Sequence, residues 1–209
     1  MNARLTDGIL RRSVNAIMET PRVYGLSQSL TDPFRIAPIR RVLAQVPHES
    51  LLDLGCGVGD LSAMTRASYT GVDISPAYVA HARRRFGAPG RRFEVGDALA
   101  LEAGLGHHDV VAIVSVLHHM DDDEVRRCLA GLAAVSPRRL LLLETALERT
   151  GPVFRLLIVP TDRGRHFRTT AAWRSMLEET GWKIEMEHRY RSLTGLFPYV
   201  ALVAGAPGS

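Results

Sequence analysis

In the stretch SVLHHMDDDE, Ser115 to Glu124, two adjacent histidines are followed after one residue by four consecutive carboxylates. Residues of these types could hold a metal, move a proton or open a helix. A metal site is the weakest of the three, because adjacent side chains rarely converge on one point and the acids have a simpler use. Asp121 suits an N-cap, and Asp122, Asp123 and Glu124 then fall in the first helical turn, where the helix dipole favours negative charge. No metal is expected. His118 and His119 remain for acid–base work, since an unperturbed imidazole titrates near about 6.5 and much of it is neutral around pH 7.

A second stretch, LLDLGCGVGD from Leu51 to Asp60, carries chemistry of another kind. An apolar run enters Asp53 and is followed by Gly55, Gly57 and Gly59 at alternate positions, with Cys56 between the first two and Asp60 opening a helix. Backbone without side chains can approach a ligand closely, and the helix N-terminus adds donors. A dinucleotide fingerprint G-x-G-x-x-G would put its third glycine at Asp60 or Ser62, so neither register fits NAD. A phosphate-cradling P-loop needs a Gly-Lys-Ser/Thr ending, and this loop has no lysine.

These residues need an alternating scaffold behind them. Strand-like runs fall at Leu51–Leu54, Tyr69–Asp73, Arg92–Val95, Val110–Ser115, Leu140–Glu144, Lys183–His188 and Tyr199–Ala204. Helical segments lie between them, which is the pattern of a parallel α/β sheet. One helix is expected from Pro76 to about Phe86, with Ser75 as N-cap and Gly87 as stop; another is capped by Thr170 and ended by Gly181. The acids Asp53, Asp73 and Asp97 stand at or just past the ends of three successive strand runs, where open α/β sheets collect ligands. His107 and His108 read as a solvated turn, and His48 as a loop residue.

The Asp-x-Gly-x-Gly-x-Gly loop, with Asp73 and Asp97 after the next two strands, resembles class I S-adenosylmethionine (SAM) dependent methyltransferases from about Leu51 to Glu144, and more loosely through the LFPYVALVAG end. The resemblance implies an α/β, Rossmann-like, seven-stranded and mostly parallel sheet of order 3-2-1-4-5-7-6, with an antiparallel last strand and helices on both faces. It implies that Asp53, Gly55, Cys56, Gly57 and Gly59 hold the methionine part of SAM. Asp73 beside Ile74 would take the ribose hydroxyls, Asp97 and the backbone of Ala98 the adenine amine, and Ser115 would lie next to the cofactor. Acids suit a ligand that carries an ammonium, a diol and an amine but no phosphate. The product is S-adenosylhomocysteine (SAH).

Where enzymes acting on nucleobases or protein amides often carry Asn/Asp-Pro-Pro-Tyr, this chain has SVLHH, which resembles the small-molecule branch. His118 is the first choice of base and His119 the second, with Glu144 as an orienting or acceptor-binding acid. The opposing view is that one histidine packs beneath the loop, a role assigned to His119 more readily than to His118. Tyr24 and Gln28 match a loose substrate element, and Arg163, Arg165 and Arg168 are candidates for an anionic acceptor, weighed against a solvated loop. The expected activity is methyl transfer to a small molecule, preferably at a hydroxyl oxygen. Rivals are an RNA or protein methyltransferase, a SAM-binding regulatory protein without turnover, and, more weakly, a NAD oxidoreductase.

A chain of 209 residues, 46% hydrophobic and 23% charged, reads as one domain over 1–209, with 1–49 as a helical cover and 146–169 as a substrate-cap insertion. Net charge is +4, yet Lys183 is the single lysine among 26 basic residues and the arginines are scattered in pairs. That is not the stripe of a nucleic-acid binder. Two cysteines make no disulfide framework, the N-terminus lacks a signal-peptide core, and no apolar run is long enough to cross a bilayer, so a cytoplasmic protein is expected.

Overall fold

In the computed structural model, which describes residues 33–208 other than 102, 136, 153, 159–165 and 193–196, seven strands make one sheet. They are β1 (Ser50–Leu54), β2 (Ser68–Asp73), β3 (Arg91–Val95), β4 (Val110–Val114), β5 (Arg139–Thr145), β6 (Lys183–Arg191) and β7 (Pro198–Gly205). Their order is β3-β2-β1-β4-β5-β7-β6. Neighbours from β3 to β5 pair in parallel, whereas β7 runs antiparallel to both β5 and β6. The sheet is the one the sequence leads one to expect.

Strand alternation sends successive side chains to opposite faces. Leu52 and Leu54 of β1 join Val111, Ile113, Leu140 and Leu142 in a core closed by Val125 and Leu129 of α3 (Asp122–Gly131) and Trp173 and Met176 of α4 (Thr170–Glu179). Leu51 joins Tyr69, Val110, Leu141 and Leu143 on the other face. There Ile39, Val42 and Leu43 of α1 (Pro33–Ala44) and Val79 and Ala82 of α2 (Pro76–Phe86) close the second core. The central strands β4 and β5 are buried on both sides, which is why VVAIV and LLLL read as continuous apolar runs.

Local signals set the helix ends. Ser75 caps α2, accepting from Tyr78 N at 3.4 Å, and Pro76 follows at N1. Asp121 and Glu124 form a reciprocal capping box on α3, at 2.8 and 2.9 Å. The helix expected to be capped by Thr170 is instead capped one residue earlier. Thr169 accepts from Ala172 N at 3.2 Å, and the Thr170 hydroxyl is spent on Glu148 at 2.6 Å. At its far end Gly181, with φ 88°, lets Trp182 N reach Leu177 O and its own N–H reach Glu178 O.

Two further expectations change. Asp60 opens a short 3₁₀ turn, Asp60–Met64, in place of a full helix. His108 is not solvated: it is buried, its Nε2 lies 3.0 Å from Leu105 O, and burial pushes its pKa down.

Between β5 and α4, the described ends of the segment 146–169 are stitched together. Leu147 N donates to Arg168 O at 3.1 Å, and Glu148 accepts from the Thr170 N–H at 3.1 Å. Among the described residues no helix is long and apolar enough to cross a membrane.

Candidate active site

The glycine loop sits at the carboxyl end of β1 and depends on positive φ. Gly55 has φ 76°, and a Cβ there would collide with Val116 Cγ2; Gly59 has φ 86°, and a Cβ there would lie 2.9 Å from both Ala82 Cβ and Phe93 Cε1. Both positions exclude a side chain on two counts. The loop is tied to β2: Gly55 N and Cys56 N donate to Val72 O, and Gly57 N donates to Asp73 Oδ2 at 2.9 Å. The other Asp73 oxygen accepts from Ser75 N at 2.8 Å, so this carboxylate joins the loop to the start of α2. Burial raises its pKa, and the two N–H donors partly offset that.

Asp53, Asp73 and Asp97 all stand at this edge, in different settings. Asp97 is exposed and accepts from Leu99 N at 2.9 Å, with Ala98 beside it half-buried. Asp53 is buried at 3% exposure and accepts the Tyr69 phenol at 2.6 Å. Burial first, and then the Asp53 charge, holds that phenol protonated well above its usual range. Cys56 is buried against Gly71, and burial pushes its thiol far up, with Asp53 and Asp73 adding to the shift. Ile74 lies open at 71% exposure, an apolar surface directly after Asp73.

At the end of β4, Ser115 is the one non-glycine residue with positive φ, 56°, among the described residues. Such backbone is sparsely populated and clusters where a site needs it. The chain then makes a 3₁₀ turn, Leu117–His119, whose orphan donors are met by Glu144. Glu144 is fully buried at the end of β5; its Oε1 accepts from Val116 N at 2.9 Å and Leu117 N at 2.7 Å, and its Oε2 lies 2.8 Å from His118 Nδ1. A carboxylate there makes Nδ1 the donor and fixes the imidazole tautomer. The His118 ring stacks on Phe167, with centroids 5.2 Å apart and planes 13° apart, and meets the His119 ring at 4.2 Å. His118 is thus the buried member of the pair, and His119 the exposed one.

Of the acids after the histidines, Asp121 and Glu124 form the capping box, Asp122 meets Arg168, and Asp123 lies 3.6 Å from Arg126 on the helix surface. That arginine is 7% exposed and turns its donors to protein oxygens, which corrects its place among the acceptor-binding candidates. Tyr24, Gln28, Arg163 and Arg165 lie outside the described residues. Beyond His118 the rings continue, with Phe167 edge-on to Phe154, Phe154 edge-on to Phe197, and Phe197 stacked on Tyr199.

Residues 51–137 match a family described as a methyltransferase domain. Magnesium protoporphyrin IX methyltransferase from Synechocystis PCC 6803, solved with bound SAH, is 25% identical, with a TM-score of 0.65 over 82% of this chain and 81% of that one. Residues 51–137 are a class I SAM-dependent methyltransferase domain. Human N-acetylserotonin methyltransferase in complex with SAM shares the fold at 21% identity and TM-score 0.67, over 92% of this chain and 58% of that one. The methyltransferase domain of bacterial CtHen1-C shares it at 17% identity and TM-score 0.67, over 84% and 98%.

The methyltransferase therefore binds SAM and releases SAH. Its own residues fit that ligand, because the loop edge offers carboxylates to hydroxyl and amine donors and an apolar Ile74 to a ring. Two residues of the site escaped sequence reasoning. Tyr69 could have been found, since parallel pairing sets Leu51 against Tyr69 and Asp53 against Gly71, on one face. Phe167 carries no signal in the sequence that points to His118.

Proposed function

We propose that this methyltransferase moves the methyl group of SAM to a small organic acceptor, with a hydroxyl oxygen as nucleophile and His118 as base. Asp73, with Ile74 beside it, takes the ribose hydroxyls, Asp97 and Ala98 take the adenine amine, and Asp53 with the Gly55–Gly59 loop and Ser115 surrounds the methionine part. The observation that carries the reading is the His118–Glu144 pair at the carboxyl end of β4 and β5, 2.8 Å apart.

The sulfonium supplies an electrophilic methyl, so the protein's work is alignment and removal of one proton. As the acceptor oxygen bonds to the methyl carbon, the sulfur–carbon bond breaks and its electron pair returns to sulfur. The hydroxyl proton passes to His118 Nε2, and Glu144 stabilises the imidazolium through Nδ1–H. The aromatic run from Phe167 to Tyr199 favours an apolar organic body on the acceptor. We read residues 1–209 as one catalytic domain in which 146–169 covers the acceptor.

His118→Ala should lower turnover by about 100-fold or more, roughly 2.7 kcal/mol of barrier, while leaving SAH affinity nearly intact. Candidate acceptors assayed for SAH release supply the activity. Unchanged turnover in that variant removes His118 as base.

A further inference from the structure

We infer that Arg168 is a positioning residue of the methyl-transfer site: it pins the His118 loop to the segment 166–168 and so fixes the imidazole between Phe167 and Glu144. The inference rests on the reading of His118 as base. It starts from donor accounting. A guanidinium has five N–H donors in a rigid plane. Nε donates to Asp122 Oδ1 at 2.9 Å, Nη1 to Leu117 O at 3.2 Å and His166 O at 2.9 Å, and Nη2 to Met120 O at 2.8 Å and Asp122 Oδ1 at 2.7 Å. Its face lies over the Trp173 ring, 4.8 Å from the centroid.

These contacts bracket the base. Leu117 O and Met120 O stand on either side of His118 in the chain, and the carbonyl of His118 itself accepts from His166 N at 3.0 Å. Carbonyls of the loop are thus held by 166–168, while its N–H groups at Val116 and Leu117 are held by Glu144. Phe167, between the two anchoring residues, has its ring set parallel to the imidazole. A side chain that only stabilised the fold would not need to reach both sides of one histidine. Lysine has three donors around a single nitrogen and cannot span Leu117, Met120, His166 and Asp122 together.

Arg168→Lys, with Arg168→Ala beside it, tests this by steady-state kinetics, SAH calorimetry and imidazole nitrogen resonances, at a temperature where the wild type is fully folded. In Arg168→Lys, kcat should fall by about ten-fold, with acceptor KM and SAH Kd within about two-fold. The His118 nitrogen signals should move from the Nδ1–H form toward a mixture of tautomers. Unchanged kcat and an unchanged His118 spectrum overturn the inference. So does a fall of kcat matched by an equal loss of SAH affinity, which is the mark of general destabilisation. If His118→Ala leaves turnover intact, the base reading fails, and the imidazole spectrum still decides whether Arg168 positions that ring.

Discussion

The two halves of the ligand-bearing edge are built by different means. Around β1, β2 and β3 the site is made of backbone: positive-φ glycines, a carboxylate holding N–H groups two and sixteen residues away, and an exposed apolar residue after it. Around β4 and β5 it is made of side chains that meet across long separations, Glu144 with His118 over 26 residues and Arg168 with Leu117 over 51. The first half is a fixed receptor for a ligand of constant shape. The second is a packed assembly in which the proposed base and its acceptor could be tuned without disturbing the first.

The sharpest way to break that division is at the point where the halves touch. Gly55→Ala forces a Cβ into Val116 of the His118 loop and strains a φ of 76°, and should cost about 2–4 kcal/mol of stability in denaturant unfolding, with loss of SAH affinity. Next is Glu144→Gln. The amide can still accept from Val116 and Leu117 at its oxygen, but its nitrogen turns a donor toward His118 Nδ1 and reverses the tautomer. Turnover should fall by about 10- to 100-fold with SAH affinity retained, as direct kinetics and calorimetry would report.

A smaller effect sharpens the cofactor half. Burial raises the Asp73 pKa in the folded protein, so its contribution to folding stability is fully present below the unfolded value and is lost as pH rises through the folded one. On the proposed binding mode ligand binding responds in the opposite sense, because a protonated Asp73 would no longer accept two hydroxyls. SAH affinity should weaken on acidification at a higher pH than an ordinary aspartate, about 3.9, would require, and Asp73→Asn should flatten that profile in calorimetry. The least effect is expected at the thiols. Burial pushes Cys128 up to about 12 and Cys56 further, so native protein should resist iodoacetamide at mildly alkaline pH, while unfolded protein reacts at both by mass spectrometry.

What could be read in the sequence follows the same division. The seven strands and the acids at their ends were legible because each rests on short-range patterns, alternation, glycine spacing and an acid at a strand end, whereas the sheet order came with the family resemblance those patterns carry. The Asp121 cap was legible for the same reason. Thr169 displaced Thr170 as the cap of α4 because Glu148, far away in the chain, claims the Thr170 hydroxyl. The burial of His118, and the diversion of Arg168 from acceptor to loop, depend on contacts over dozens of residues that no local pattern encodes. His108 was misread as solvated: its ring bonds back to Leu105 O, and its N–H donates to Val135 O, 27 residues on and beyond the end of α3.

The central claim is that cofactor binding and acceptor activation are separable, and SAH-induced thermal shift tests it most directly. At a hundred times Kd a ligand specific to the folded state adds about 2.7 kcal/mol, roughly 5–11 °C for a chain of this size. The shift should be kept in His118→Ala, which has lost turnover, and abolished in Asp73→Ala. A shift that persists in Asp73→Ala, or that disappears in His118→Ala, contradicts the account.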